Sequence, residues 1–238
     1  MTNLTPIKEE ILSCANPEKA AILQRFFKTA KGEYAENDLF LGLTVPESRK
    51  IAINFKNLEF NDIENLLQSK IHEERLIALF ILILQFNNVV QNRKKIFDFY
   101  LKNIDCVNNW DLVDSSADKI IGRYFFELKK VDETKKFLIK LANSNKLWHR
   151  RISVISTFYF IKKNQFEHTI DLCHILLNDK HDLIHKATGW MLREIGKRDL
   201  TVLRDFLNKN YKSMPRTTLR YAIEKLKMDE RKKYLKKD

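Results

Sequence analysis

Three tryptophans recur along the chain, and charged residues follow each of them within about one helical turn. Trp110, Trp148 and Trp190 lie 38 and 42 residues apart. The charged residues that follow them are Asp111 and Asp114 after the first, Arg150 and Arg151 after the second, and Arg193 and Glu194 after the third, while Asp118 lies about two turns after the first. The face of a tryptophan ring attracts a cation, and a neighbouring carboxylate adds to that attraction. This pattern predicts aromatic walls around a cationic ligand.

The placement of the aspartates on a helix sharpens this interpretation. At 100° per residue Asp114 lies about 40° from Trp110, and the three aspartates form one acidic stripe. An alternative role for Asp111 is to complement the helix dipole, because it lies at the start of the helix. This alternative suits Asp114 less well, because Asp114 lies a turn further in. The ordinary alternative for each tryptophan is a core position, since tryptophan is highly buried on average.

The overall charge has the opposite sign to the stripe. The 238 residues include 43 Lys and Arg against 31 Asp and Glu, a net charge of +12. Residues 186–238 hold 16 of these bases and 7 of the acids. Such an excess favours a polyanionic partner, although a solvated charged surface is the alternative.

A nucleic acid that carries an N-alkylated purine is polyanionic overall and cationic locally, and so satisfies both observations. The positive charge weakens the glycosidic bond, because the base leaves as a neutral molecule and needs no general acid. A carboxylate near C1′ would then stabilise the oxocarbenium-like sugar and orient a water molecule.

The elements that must position these residues are helices. Only 5 Gly and 4 Pro occur, apolar residues such as those from Leu76 to Leu84 recur with helical period, and Asn16-Pro17 and Val45-Pro46 are typical helix starts. The predicted helices are 5–14, 17–29, 46–56, 61–69, 73–87, 92–102, 109–127, 132–142, 146–163, 167–177, 182–197, 200–210, 215–227 and 229–236. Fourteen short helices with a repeat near 40 residues predict an all-α fold, an α-solenoid of HEAT-like antiparallel pairs with a concave basic groove, as a single domain over 1–238.

The segments NNWDLVDSSADKIIG, KLWHRRISVI and HKATGWMLREIGKRD, with NPEKAAILQRFF and DLFLGLTVPESRK upstream, resemble the AlkD-like DNA alkylation-repair glycosylases from about residue 16 to about 226. The resemblance implies a HEAT-like superhelix that excises positively charged N3- and N7-alkylpurines from duplex DNA without a cofactor or metal. It also implies an open groove without an enclosed cavity, because the base is not flipped into a pocket.

The resemblance further implies a role for each matching residue. Asp114 would be the catalytic carboxylate, Trp110 and Trp190 the aromatic walls, and Arg151 the contact to the DNA backbone. Trp148, Arg150 and Arg193 complete the predicted DNA-binding set. Some members of the family carry Tyr where this chain has Phe26, and shorter members lack the polar loop 28–37.

The alternatives are a non-catalytic binder of damaged or branched DNA on the same scaffold and a HEAT-type protein-interaction scaffold. The acidic stripe favours the enzyme, and the basic C-terminal third favours DNA over protein as the partner. His181 and His185 have the i, i+4 spacing of zinc ligands, but no third ligand is evident, so we expect no metal. With no long apolar segment and no signal peptide, we expect a monomer in the cytoplasm, associated with the nucleoid and not with a membrane.

Overall fold

The computed structural model describes residues 4–236, and α-helices dominate it, which confirms the predicted fold class. Within these residues the β-type pairing consists of one isolated bridge between Leu39 and Ile71. None of the described helices is long and apolar enough to cross a membrane. The α-helices are α1 Leu4–Ser13, α2 Pro17–Phe26, α3 Val45–Asn54, α4 Phe60–Leu67, α5 His72–Asn88, α6 Arg93–Lys102, α7 Trp110–Ala117, α8 Arg123–Leu128, α9 Val131–Ala142, α10 Leu147–Ser156, α11 Phe158–Ile161, α12 Glu167–Ile175, α13 Asp182–Gly196, α14 Leu200–Asn210, α15 Arg216–Ala222 and α16 Met228–Leu235.

Each of the fourteen predicted helices corresponds to a helical run in the structure. Two of the runs are subdivided: α7 and α8 are joined by a π-helical turn at Asp118–Gly122, and α10 and α11 meet at Thr157. Most helix ends lie within two residues of the prediction, but two helices end three or more residues early. The α2 helix ends at Phe26 because Lys28 adopts a left-handed backbone with φ of 56°, and α15 ends at Ala222.

The chain divides into two compact units, an N-terminal unit up to Ser116 and a C-terminal unit from Ala117 onwards. The prediction of a single domain stays a prediction. In the N-terminal unit α5 packs against α3, α4 and α6. Its residues Leu76 to Leu82 are all buried, so apolar contacts surround this part of α5, whereas the apolar period predicted one buried face.

In the C-terminal unit α13 is the most extensively packed helix. It contacts α10, α14 and α15, and α9 packs on α10. The approach of α13 to α15 is close at Gly189, where an added Cβ atom would lie 2.6 Å from the carbonyl oxygen of Thr218. Trp190, the next residue, is therefore held on a helix whose position is set by backbone contact.

Candidate functional site

Trp110 begins α7 and is partly exposed. Its ring stacks on that of Phe27, with centroids 5.1 Å apart and planes 13° from parallel. Phe26 approaches the same indole edge-on at 5.9 Å and is 61% exposed. The last residue of α2 and the residue that caps its C-terminus thus supply two aromatic rings beside the tryptophan. Sequence reasoning identified Phe26 only as a departure from the family and did not predict a role for Phe27.

A half-open cavity of about 490 Å³ lies beside these rings. Trp110 and Asp114 both line it, as expected for residues at i and i+4 of one helix. The other lining residues are Lys19, Ile22, Leu23, Phe26, Phe27, Phe40, Gly42, Leu43, Thr44, Val45, His72, Glu73, Leu76, Asp111 and Ser115. The family resemblance implied a groove without an enclosed cavity. That expectation stays a prediction, and the N-terminal unit contains a half-open, mostly apolar recess beside the proposed carboxylate.

Residues 42–45 form one rim of the cavity, and the first of them belong to a segment that is held through its main chain. The buried carboxylate of Glu73 accepts hydrogen bonds from the backbone N–H groups of Leu41, Gly42 and Leu43. Gly42 has φ of 89°, and a side chain there would collide with the carbonyl oxygen of Asn16 at the start of α2. The rim therefore depends on a glycine and on one carboxylate.

His72 lies at the base of the aromatic cluster and is 2% exposed. Its ring stacks on Phe40 at 4.5 Å and contacts Phe27 at 5.1 Å. Its Nε2 is 2.7 Å from a carboxylate oxygen of Asp111, and its Nδ1 is 3.4 Å from one of Asp38. The ring thus connects the segment before α3 with the first turn of α7.

The neighbouring charges determine the protonation of this buried group. Burial alone would lower the pKa of His72, but the Asp111 carboxylate and the hydrogen bond to Asp38 outweigh it and raise the pKa above its ordinary value. Burial would raise the pKa of Asp38, but hydrogen bonding to His72 and the charge of Arg75, 2.7 Å away, lower it. Asn109 donates a further hydrogen bond to Asp38.

The three aspartates do not form the predicted exposed stripe. Asp111 lines the cavity but is bound to His72, and Asp114 lines the cavity one turn further on. The prediction is wrong for Asp118, which is 1% exposed and forms an ion pair of 2.6 Å with Lys162. Asp118 does not line the cavity, because its buried carboxylate is bound within the C-terminal unit.

The second tryptophan motif lies on α10 in the C-terminal unit. Trp148 is partly exposed. Arg150 forms an ion pair of 2.7 Å with Asp179 and donates to the carbonyl oxygen of Ser144. Arg151 is only 5% exposed, and its guanidinium donates to the carbonyl oxygen of Leu183. Both arginines therefore have partners within their own unit.

The third motif lies on α13. The partly exposed Trp190 contacts Phe158 at 5.6 Å, and its Nε1 donates to the carboxylate of Glu194. Glu194 also accepts from Lys197, and Arg193 forms an ion pair with Glu224. The predicted common groove for all three tryptophans stays a prediction, as does the DNA contact of each arginine.

The weaker sequence signals have structural explanations. His181 accepts the backbone N–H of Leu183 as a helix cap, and Nε2 of His185 contacts the carbonyl oxygen of Asp179. Among residues 4–236 no group of three His, Cys, Asp or Glu side chains is placed to hold a metal ion. Burial raises the pKa of Cys173 to about 12, which makes this thiol a poor nucleophile.

Comparison with known proteins identifies the family of this chain. The model of the family described as DNA alkylation repair enzyme matches residues 7–226. The chain belongs to the DNA alkylation repair enzyme family. No protein with curated function matches the chain significantly.

Two solved structures resemble this family member. One is a predicted DNA alkylation repair enzyme from Enterococcus faecalis, 16% identical, with a TM-score of 0.69 over 90% of this chain and 97% of that one. The other is AlkD2 from Streptococcus mutans, 18% identical, with a TM-score of 0.54 over 87% of this chain and 97% of that one. At these identities the similarity establishes the fold of the repair protein but not its activity. The activity has to be inferred from the residues of the site.

Proposed function

We propose that this repair protein is a monofunctional DNA glycosylase that releases positively charged N3- and N7-alkylated purines from duplex DNA and leaves an abasic site. The observation that supports this most directly is that Trp110 and Asp114 line the same cavity of the N-terminal unit. An aromatic face and a carboxylate together suit a flat cationic base attached to a sugar that becomes positively charged.

The reaction that these groups would assist is hydrolysis of the bond between C1′ and the base nitrogen. The bonding electrons leave with the base, whose formal positive charge is thereby cancelled. The Asp114 carboxylate stabilises the oxocarbenium-like sugar and orients a water molecule toward C1′. The water oxygen forms the new bond to C1′, and its proton passes to the carboxylate or to solvent. No general acid is required, and the proposal includes no metal or cofactor.

The rest of the proposed site binds the DNA. Trp190 would form the second aromatic wall, Arg151 would contact the backbone, and Trp148, Arg150 and Arg193 would complete the surface. The net charge of +12 supports a polyanionic partner, because phosphate contacts release counterions. The two units would act together as one monomeric DNA-binding domain.

The test is a base-release assay on methylated duplex DNA that compares the wild type with Asp114→Asn. The substitution is nearly isosteric, so folding and duplex binding should persist. Base release should fall by about 100- to 1000-fold, since a full charge facing the developing cation is replaced by a weak dipole. The matched control is Asp98→Asn, which alters an exposed aspartate that is paired with Lys94 on α6.

Two results would contradict the proposal. If Asp114→Asn retains wild-type activity, another group is the catalytic carboxylate. If the wild type binds duplex DNA but releases no methylated base, the protein is a non-catalytic binder of damaged DNA.

A further inference from the structure

A largely buried cluster of charged side chains adjoins the aromatic cavity, and two of its members, His72 and Asp111, also line that cavity. It contains the carboxylates of Asp38 and Asp111, the guanidinium of Arg75 and the imidazole of His72. Asp38, His72 and Arg75 are each less than 7% exposed, and the side chain of Asp111 is 15% exposed. A net charge in such a place is costly, and the cluster is neutral only when His72 carries a proton on both ring nitrogens.

The hydrogen-bond geometry agrees with the charge balance. With both nitrogens protonated, Nε2–H donates to Asp111 at 2.7 Å and Nδ1–H donates to Asp38 at 3.4 Å. The first of these distances is typical of a charge-assisted hydrogen bond. If Nδ1 loses its proton, it can only accept, and the nearest donor is a guanidinium nitrogen of Arg75 at 3.5 Å. The lost proton therefore removes the bond to Asp38 and leaves one uncompensated negative charge.

This cluster is connected to the proposed reaction at two points. Asp111 adjoins Trp110 in the first turn of α7 and precedes Asp114 by less than one turn. The His72 ring also packs against Phe27, on which the indole of Trp110 stacks. A change at His72 would thus reach both the aromatic wall and the helix that presents the carboxylate.

We propose that protonated His72 is a positioning residue for the proposed glycosylase reaction. By donating to Asp111 and Asp38 at the same time, the protonated ring ties the first turn of α7 to the segment before α3, and so keeps the Trp110 ring and the Asp114 carboxylate in place on the cavity wall. The inference rests on the proposed function, and the experiments below distinguish failure of the positioning role from failure of the proposed function.

The pH at which positioning fails follows from the groups that face the ring. These are Asp111 from α7, Asp38 from the segment before α3, and Arg75 from its own helix, while the neighbouring Glu73 is bound to the backbone of residues 41–43. Because the pKa of His72 is raised, the tie between Asp111 and Asp38 is present below the ordinary histidine pKa and is lost, through the bond to Asp38, as the pH rises through the raised pKa.

The experiment compares base-release rates of His72→Gln and the wild type on the same methylated DNA from pH 6 to pH 9.5. Titration of the substrate cancels in the ratio of the two rates. At pH 6 the variant should be slower by about tenfold, the effect of one charged hydrogen bond. The ratio should approach one at high pH, where the wild type has lost the proton. His168→Gln, which alters a histidine packed on Phe160, is the control and should give a flat ratio.

Asp111→Asn is a second variant for the case in which His72→Gln does not fold. It keeps the histidine ring and removes the charge that favours its proton, so the decline of activity at high pH should move to lower pH. A ratio for His72→Gln that does not vary with pH, or an unmoved decline in Asp111→Asn, overturns the proposal.

Fluorescence tests the positioning without base release. When Trp148 and Trp190 are replaced by Phe, Trp110 is the remaining tryptophan, since the chain has 3. Its emission should change as the pH passes through the pKa of His72, and this transition should be absent after His72→Gln. If base release is absent at every pH but the transition is present, the proposed function fails and the positioning of Trp110 stands. A transition that persists in His72→Gln overturns the positioning.

Discussion

The tryptophans of the two units differ in what surrounds the charges that follow them in the chain. In the N-terminal unit, Trp110 and Asp114 line a cavity, and the buried His72 holds the intervening Asp111. In the C-terminal unit, Arg150 and Arg193 are bound by nearby carboxylates. Charged residues that follow a tryptophan within about one turn thus line a cavity in one unit and form internal ion pairs in the other. The partners of a charged residue therefore indicate its role better than its position in a repeat does.

The largest effect that would test this contrast concerns Arg151. It is buried and donates to the carbonyl oxygen of Leu183, so Arg151→Ala should lower the free energy of unfolding by about 1–3 kcal/mol. We also expect weaker binding of all lesions alike, because a phosphate contact does not read the base. Arg150→Ala should lower DNA affinity less, but its loss of stability should be similar, about 1–3 kcal/mol, because it leaves the Asp179 carboxylate, whose side chain is 7% exposed, without its cationic partner.

Urea denaturation and DNA affinity for two different lesions would measure both arginine variants. Lost affinity with unchanged stability in Arg151→Ala would show that the guanidinium exchanges Leu183 for DNA. A larger loss of affinity for Arg150→Ala would shift the predicted phosphate contact by one residue.

A smaller effect is expected when either of the two proposed aromatic walls is replaced. Replacing Trp110 or Trp190 by Leu removes the π face, and release of a cationic base should fall by about 2- to 30-fold beyond any loss of duplex affinity. Trp110→Leu should also lower the Tm, because the indole stacks on Phe27. Base release, duplex affinity and thermal unfolding are measured for each variant. Losses of activity that only parallel the losses of Tm would mean that the tryptophans are core residues.

The smallest expected effect concerns stability, which should respond to pH in opposite directions in the two units. The raised pKa of His72 gives the N-terminal unit stability that is complete below the unfolded value of about 6.5 and is lost as the pH rises through the folded pKa. Burial lowers the pKa of His168, so its contribution is complete above about 6.5 and is lost as the pH falls through the folded value.

Hydrogen exchange of α5 and α12, corrected for the intrinsic effect of pH, would measure these two responses in the wild type and in His72→Gln and His168→Gln. The difference between wild type and variant should change with pH in opposite directions in the two helices. Parallel changes would contradict the assignment of the two histidines.

The features that sequence predicted are those that depend on relations within one helix. The helices follow from apolar periodicity and from start signals, and the structure confirms them at Asn16 and at Thr44, whose side chains cap α2 and α3. Trp110 and Asp114 share the cavity because residues at i and i+4 lie on one helical face.

The features that sequence missed depend on contacts between distant segments. His72 meets Asp38 and Asp111 across separations of 34 and 39 residues, and no periodic pattern signals such a pairing. The burial of Asp118 was missed for the same reason, because its partner Lys162 lies 44 residues further along the chain.

The rim of the cavity has a consequence for how this protein can diversify. Glu73 binds the rim through main-chain N–H groups. Gly42 has a positive φ and lies so close to the backbone of Asn16 that a side chain would collide with it. The side chains of Leu41 and Leu43 take no part in these bonds. Because the bonds go to main-chain groups, descendants of this chain that keep Glu73 and Gly42 can retain the rim while the exposed Val45, which also lines the cavity, is exchanged and reshapes it.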